Sequence, residues 1–381
     1  MSVTRRKMMF LVGGGAILAA SGAFGVGATR HPRTAYLPLT RAGAYEDARM
    51  RALSWALLAP NPHNRQPWLA DLSEPGIVTL FADPDRLLPH TDPYSRQITI
   101  GLGCFLELMR MAAAEEGIRT DTALFPEGED HAQLDHRPVA RVVFTADPTV
   151  ARDPLFAQIP NRRTSKEPYD LTRTVSSDVL AQIAGAARST QIGVTNDSDR
   201  VQWMRDISTR AFEIEFATHG TLKESVDLFR IGAREVDANP DGIDFTGPMF
   251  ESLRMTRLFT REASLDPDSF STRSALDMIT QNMQTGMAHL WQVTPGNTRS
   301  EQIVAGEDWV RINLAATALG VGLQPLSQAL QEFPEMAELY AQTHAALAPQ
   351  GGIVQMWARL GYGPQISASP RWPIETRILN A

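Results

Sequence analysis

A pattern that occurs twice constrains the fold of this chain more than any other feature. Residues 100–118 and 304–321 both show the 3.6-residue apolar period of a buried helix, and both reach a glycine at their end. Runs rich in β-branched and aromatic residues flank the two helices, at 77–81, 141–144, 289–293 and 352–357. The matching order predicts a duplicated α+β unit; the alternative is chance similarity between two amphipathic helices.

The repeat divides the 381 residues into two predicted units, 44–150 and 158–381, joined by a turn-rich connection. A hydrophobic content of 43% is enough for a sizeable core. The second unit also carries a polar insertion at 239–270, whose Met and Phe residues indicate short helices. These helices form either a lid over a site or a satellite layer of the core.

The composition excludes several kinds of partner and site. A net charge of −7 leaves no basic surplus for nucleic acid. The lone Cys104 excludes an internal disulfide and a thiolate metal cluster, and the histidines lack metal-ligand spacing, so we expect no metal site. A G-x-S-x-G elbow, a Walker A loop and a complete G-x-G-x-x-G are also missing.

The amino terminus has the pattern of an export signal. Arg5 and Arg6 precede a Gly/Ala-rich apolar stretch, which predicts a twin-arginine signal peptide at residues 1–30. The alternative is an uncleaved membrane anchor, which the many glycines disfavour. The prediction implies a periplasmic protein that engages the twin-arginine translocation machinery and keeps no stable membrane span after export.

The loop at residues 60–68 combines three prolines with amide side chains and a terminal Trp68. Proline fixes φ, so the polar groups between the prolines are held rigidly. Such a loop suits a flat heterocycle. Its amides can hydrogen-bond the donors and acceptors along the edge of the ring, and Trp68 completes the wall of the site. A proline-stiffened turn after a helix is the alternative.

A second polar cluster lies at residues 162–166, Arg162-Arg163-Thr164-Ser165-Lys166. Planar guanidinium forks, hydroxyl donors and an ammonium are what a phosphate monoester requires, although a solvated basic turn has the same composition. Arg371, in a stiff Pro/Gly segment, is a further candidate for the same anion. The segment 325–327 follows a glycine turn and offers backbone amides to a ligand.

These motifs resemble those of the nitroreductase family. Residues 59–68 resemble its A-P-S-x-x-N-x-Q-P-W loop, residues 162–166 its R-R-S-x-R opening, and residues 320–328 its G-x-G-x-x-P segment. In that family two subunits share FMN at their interface. The order here, together with residues 82–93, resembles the single-chain Acg-type branch, which implies an α+β nitroreductase-like fold of two fused, pseudo-repeated units with a lid-like helical insertion.

The resemblance also implies one FMN per chain. The first unit opens at 40–45 without R-R-S-x-R, and the second has no A-P-S loop at 187–193, so one of the two pseudo-symmetric sites has both parts. The implied cofactor-binding residues come from both units: Pro60, Asn61, Pro62, Asn64, Gln66, Arg162, Arg163, Ser165, Lys166, Pro325, Leu326, Ser327 and Arg371.

The expected function is that of an exported FMN-dependent oxidoreductase that reduces a small electron-poor substrate with an unidentified electron donor. The alternative is a non-catalytic protein of the Acg type that binds and stores FMN. No side-chain acid or base is evident. His63 is the nearest candidate, but a loop histidine beside proline is more often a spacer.

Overall fold

A computed structural model describes residues 30–380, except the side chains of residues 270 and 271. Its mixture of helices and mostly antiparallel sheets agrees with the expected α+β class. The predicted signal at 1–30 lies outside the described residues, apart from its last residue.

The first unit places two helices before its sheet. Asp47 caps the second helix because its carboxylate accepts a hydrogen bond from the Arg49 amide. The elements are α1 (Leu37–Arg41), α2 (Ala48–Ala56), β1 (Trp68–Asp71), β2 (Ile77–Ala82), α3 (Arg96–Glu115), β3 (Ile118–Leu124) and β4 (Ala140–Ala146).

The second unit begins after a 3₁₀ helix at Pro154–Asn161. It opens with α4 (Ser177–Ala184), β5 (Gln191–Thr195), α5 (Ser198–Ala217), α6 (His219–Asp227), β6 (Phe229–Ile231), α7 (Ala233–Ala238), β7 (Ile243–Phe245), α8 (Pro248–Met255), α9 (Arg261–Leu265) and α10 (Phe270–Met283). It continues with β8 (Ala288–Thr294), α11 (Arg299–Ala318), β9 (Gly322–Pro325), α12 (Ala337–Leu347), β10 (Ile353–Gly361) and β11 (Ile378–Asn380).

The two main sheets have the same internal order. The first is arranged β11-β1-β2-β4-β3 and the second β5-β8-β10-β9. Without β11, each sheet begins with the first strand of its unit and ends with the strand that directly follows the long helix. The four strands expected from sequence correspond to β2, β4, β8 and β10, whereas the sequence did not indicate β1, β3, β5, β9 and β11.

The long helices α3 and α11 cross at two glycines. A Cβ on Gly103 would lie 2.1 Å from the Ile303 carbonyl oxygen, and one on Gly306 would lie 2.0 Å from that of Ile100. These contacts are reciprocal, as they are across a two-fold axis. Both helices are followed by a glycine in the left-handed region, Gly117 and Gly320, which confirms the expected ends.

The carboxyl-terminal segment leaves the second sheet and returns to the first. Strand β11 pairs in parallel with β1, with Ala70 opposite Ile378. On its way the chain passes the loop at 60–68 and carries Arg371 and Trp372 past it.

A helical region separates β5 from β8 in the second unit. It runs from α5 to α10 and contains the small parallel sheet of β6 and β7, so it is longer than the 239–270 insertion singled out from sequence. Within residues 30–380, one helix, α3, is long and apolar enough to cross a membrane, and 89% of its apolar window is buried inside the protein. The fold thus uses α3 as a core helix.

Candidate functional site

The loop at 60–68 has an unusual backbone. His63, Asn64 and Gln66 all have left-handed φ values, of 46°, 50° and 51°. Non-glycine residues rarely adopt this region, and such strain persists where surrounding contacts determine it. Asn61 supplies one contact, because its Oδ1 accepts a hydrogen bond from the Gln66 amide at 2.7 Å.

The loop packs on helix α3 at Gly101. A Cβ on Gly101 would lie 3.2 Å from the Asn61 Cβ and 3.4 Å from the Pro62 Cδ. The missing side chain therefore allows the loop to rest directly on the helix. Pro60, Asn61 and Pro62 stay partly accessible along the other side of the loop.

Gln66 holds the loop to two other segments, a different role from the expected one. Its Nε2 donates to the Pro240 carbonyl at 2.7 Å, and its Oε1 accepts from the Trp372 amide at 2.9 Å. The side chain is 0% exposed. Because its oxygen and nitrogen both have protein partners, Gln66 serves to hold the loop rather than to read the edge of a ligand.

Asn64 and Arg371 likewise bind each other. Arg371 Nη1 donates to Asn64 Oδ1 at 2.6 Å, and Asn64 Nδ2 donates to the Pro370 carbonyl at 3.1 Å. Arg371 also donates to the carbonyls of Leu57, Ala59 and Pro370. One of its five N–H donors is left for an anion, so this buried arginine mainly positions the loop. Burial lowers its pKa to about 9.

Trp68 differs from its expected place in the site wall. It begins β1, is 1% exposed, and packs with its ring centroid 4.8 Å from that of Phe105. The alternation along β1 turns it into the core.

The cradle, residues 162–166, follows the 3₁₀ helix and faces the loop from the second unit. Arg162 is buried, and its Nη2 donates to the Leu58 carbonyl at 3.3 Å, just before the loop. Burial, together with a smaller effect of Arg163, lowers the pKa of Arg162 to about 10. The structure therefore brings the two clusters together, although about a hundred residues separate them.

Two groups in the cradle lack partners. The Oγ of Ser165, a residue 6% exposed, and the Nε of Arg163 are buried and have no hydrogen-bond partner in the protein. A buried polar group without a partner carries a desolvation cost of about 1–3 kcal/mol. Such groups at one place indicate that a ligand completes their bonding.

Lys166 adds a third cationic group to the cradle. Its side chain is accessible, yet surrounding protein lowers its pKa by desolvation. This combination is typical of a side chain that lines a recess. Asp244 of β7 is the carboxylate that acts on both Lys166 and Arg371, and its own pKa is raised by burial.

His63 is the site residue that sequence reasoning left aside. Its Nδ1 is buried and has no partner in the protein. Burial, Lys166 and Arg65 lower its pKa to about 4, so it is neutral at pH 7. The effect of Lys166 also locates His63 beside the cradle. The useful sequence signal was its place between Pro62 and Asn64, inside the most constrained part of the loop.

The segment 325–327 offers less than expected. Pro325 has no N–H, and the Leu326 amide donates to the Trp357 carbonyl at 2.8 Å because the pairing of β9 with β10 extends one residue further. Leu326 is also buried. Ser327 caps the next 3₁₀ turn, and its carbonyl accepts from the Leu330 amide.

The arrangement can hold an anion at one end and a flat neutral group beside it. The cradle supplies charge and unpartnered donors, and the loop supplies a rigid edge. In residues 30–380 no cluster of three or more His, Cys, Asp or Glu side chains is placed to hold a metal ion.

No family model matches the chain. It is similar to a Mycobacterium tuberculosis (strain ATCC 25618 / H37Rv) protein named "Putative NAD(P)H nitroreductase", 28% identical over 332 residues, 86% of this chain and 88% of that protein. A second protein of the same strain, named "Putative NAD(P)H nitroreductase acg", is 28% identical over 349 residues, 85% of this chain and 93% of its own.

Solved structures give a more distant likeness. The FMN-dependent nitroreductase NfnB of Mycobacterium smegmatis, in complex with NADPH, is 18% identical with a TM-score of 0.34, covering 57% of this chain and 94% of that one. At this distance no residue is assigned by superposition. By sequence and over most of its length, the chain is similar to mycobacterial proteins that carry the name nitroreductase.

Proposed function

We propose that this protein is an FMN-dependent oxidoreductase that reduces a small electron-poor substrate. The observation that carries the proposal is a set of unpartnered buried polar atoms, contributed by both units: His63 Nδ1, Arg163 Nε and Ser165 Oγ. The motif resemblance and the nitroreductase relatives support FMN as the ligand. The donor set fits a phosphate, because guanidinium, hydroxyl and ammonium groups form charge-assisted bonds with phosphate oxygens.

The cradle would hold the phosphate through Arg163, Ser165 and Lys166, with Arg162 behind them. The ring would lie along the partly accessible side of the loop at Pro60, Asn61 and Pro62. The bound flavin supplies hydride and electron transfer. The protein's part is to bind the phosphate, to orient the ring against the rigid loop, and to limit the access of water.

One FMN is bound per chain in this proposal. The segment of the second unit that corresponds to the loop has its backbone already bonded: the amides of Arg188, Ser189 and Thr190 all donate to the Asp308 carboxylate, at 2.8–2.9 Å. Arg188 also pairs with the buried Glu107 at 2.8 Å. At the second pseudo-symmetric site these backbone groups therefore already have protein partners. This supports the proposal, implied by the motifs, that one of the two sites binds FMN.

Two fused, pseudo-repeated units form part of the same proposal. The identical strand order of the two sheets and the reciprocal crossing at Gly103 and Gly306 support it. A shared ligand then lies between the units within one chain, as it lies between subunits in the resembled family.

The insertion serves as a lid in this proposal. Its Gly242 amide donates to the Asn64 carbonyl at 3.3 Å, and its Pro240 carbonyl accepts from Gln66. Asp244, two residues further along, reaches the cations of the cradle. These contacts support a cover over one side of the recess.

Export through the twin-arginine route completes the proposal, since this route carries proteins that fold around a cofactor before transport. A fusion of residues 1–40 to a reporter tests it. Periplasmic reporter that disappears after Arg5→Lys/Arg6→Lys supports the route, and an unchanged distribution contradicts it.

The flavin proposal is tested with the purified protein. We expect a flavin absorbance spectrum and, after release, FMN at one per chain. Absence of flavin together with failure to bind added FMN contradicts the proposal, and two FMN per chain contradicts the asymmetric site.

Turnover is tested by anaerobic mixing with NADPH and then with a nitroaromatic compound. We expect the flavin absorbance to bleach with the first reagent and return with the second. A bound flavin that NADPH does not bleach, and that the nitroaromatic compound does not reoxidise after reduction by dithionite, would instead indicate the storage protein.

A further inference from the structure

We infer that His63, in its neutral form, is the loop side chain that hydrogen-bonds the bound ligand through Nδ1. The inference rests on the proposed function, since FMN is the ligand it concerns. It assigns His63 the ring-edge contact that the sequence pattern had suggested for Asn64 and Gln66.

The first step is elimination within the loop. Asn61 bonds the Gln66 amide and the Ala59 carbonyl, and Asn64 bonds Arg371 and the Pro370 carbonyl. Gln66 is saturated and buried. Two buried side-chain polar atoms of the loop at 60–68 have no partner in the protein, His63 Nδ1 and Trp68 Nε1. Trp68 packs into the core against Phe105, which leaves His63 Nδ1 for the ligand.

The second step is the backbone. His63 has a φ of 46° between Pro62 and Asn64. The bonds to Asn64 and Gln66 keep the loop from relaxing and so fix the direction of the His63 Cα–Cβ bond, while the burial of Nδ1 limits rotation of the ring. The imidazole is therefore presented before a ligand arrives, and the ligand does not have to order it.

The third step is the charge around the ring. The cations that act on His63 are Lys166 and Arg65, and with burial they keep it unprotonated at neutral pH. A neutral imidazole has one donor and one acceptor nitrogen. It can bond a neutral heterocycle edge without adding a charge, while Lys166 and Arg163 remain for the phosphate. His63 is thus a positioning residue of the ligand rather than a proton donor at pH 7.

Three substitutions separate the polar contact from the shape of the ring. His63→Phe keeps an aromatic ring and removes both nitrogens. His63→Asn keeps a polar atom near the Nδ1 position and suits a left-handed backbone. His63→Gln places its amide further out, near Nε2. His136→Asn, at an exposed position, is the matched control.

We expect FMN affinity to fall about tenfold in His63→Phe, to stay within about twofold of wild type in His63→Asn, and to fall severalfold in His63→Gln. The midpoint potential of the bound flavin should shift in His63→Phe and not in His136→Asn. In ¹⁵N-histidine-labelled wild-type protein, FMN should move the Nδ1 resonance that is missing from His63→Asn.

An unmoved Nδ1 resonance in protein that binds FMN, with wild-type affinity in His63→Phe, would overturn the inference while the proposed function stands. Failure of wild-type protein to bind FMN would overturn the proposed function itself. If His63→Phe does not fold, the comparison of His63→Asn with His63→Gln and the resonance shift decide the matter: equal affinities and no shift contradict the contact.

Discussion

The loop at 60–68 and the cradle at 162–166 are both polar and mostly enclosed, but their hydrogen bonding differs. In the loop, Asn61, Asn64 and Gln66 all have protein partners. In the cradle, Ser165 and Arg163 keep buried atoms without partners. A satisfied buried network gives rigidity, whereas an unsatisfied one costs stability until something binds.

The difference separates two roles that look alike in sequence. The loop holds the insertion and the carboxyl-terminal segment in place, and its unpartnered buried atoms are His63 Nδ1 and, in the core, Trp68 Nε1. The cradle bonds the fold through Arg162 and Arg163 Nη1, but it also keeps Arg163 Nε and Ser165 Oγ open to the proposed anion. Mutations in the two regions should therefore mainly affect different quantities, stability for the loop and affinity for the cradle.

The largest effect is expected from Gln66→Ala. It leaves the Pro240 carbonyl and the Trp372 amide without a partner in a site closed to water, so the free energy of unfolding should fall by about 3 kcal/mol. Urea unfolding measures this. Gln182→Ala, on the exposed part of α4, is the control with little change. Equal stability of both variants would contradict the conclusion that Gln66 holds the loop to the insertion and the carboxyl-terminal segment.

Arg163→Ala should act mainly on affinity instead. It removes a guanidinium whose Nε is unpartnered and whose Nη1 donates to the carbonyls of Pro160 and Arg162, so FMN should bind about a hundredfold more weakly, while the free energy of unfolding falls by about 1 kcal/mol. Fluorescence titration with FMN and urea unfolding give the two quantities. Arg141→Ala, which removes a surface pair with Glu74, is the control for the loss of one charge. A destabilised Arg163→Ala with unchanged affinity would reverse the comparison.

Acid should act on the loop through His63, because the cradle's Arg162 is already protonated at neutral pH. The pKa of His63 is lowered from 6.5 to about 4, so below pH 6.5 the unfolded chain takes up a proton that the folded protein does not. Stability should therefore fall as the pH drops from 6.5 towards 4. His63→Asn should reduce the loss between pH 7 and pH 5 by about 2 kcal/mol. An unchanged slope would mean that His63 is protonated in the fold.

The smallest effect is expected from a pair of serines. Ser54 Oγ bonds the Gly43 amide and the Arg51 carbonyl, so Ser54→Ala should lower the free energy of unfolding by about 1 kcal/mol. Ser165→Ala removes a buried hydroxyl that has no partner, so the free energy of unfolding should rise by up to about 1 kcal/mol. It should weaken FMN binding about fivefold. A destabilised Ser165→Ala would show that its hydroxyl is satisfied within the fold.

Sequence reasoning was most successful where local pattern and packing agree. The buried helices and strands β2, β4, β8 and β10 have apolar patterns that predict the same element whatever the rest of the chain does. Strands β3 and β9 escaped because they lie at sheet edges: β3 is largely exposed and polar, and β9 is four residues long with glycine and proline. Their pairing, rather than their composition, makes them strands.

At the candidate site, the sequence identified the two polar clusters but not which of their side chains bond within the protein and which remain open to a ligand. Residue type alone shows that Asn64, Gln66 and His63 can all form hydrogen bonds. It does not show that the carboxyl-terminal segment and the insertion reach Asn64 and Gln66 and leave His63 Nδ1 unpartnered. The expectations for Trp68 and Leu326 differed from the structure for the same reason, since strand register settled them.

The sequence by itself determined the α+β class, the long buried helices with their glycine ends, and the presence of a stiff polar loop and a basic cluster. These follow from local chemistry: apolar period, fixed φ at proline, and charge. Only the tertiary structure decided which polar groups pair with each other and which remain open. A hydrogen bond between residues as far apart as Gln66 and Trp372 depends on the path of the whole chain.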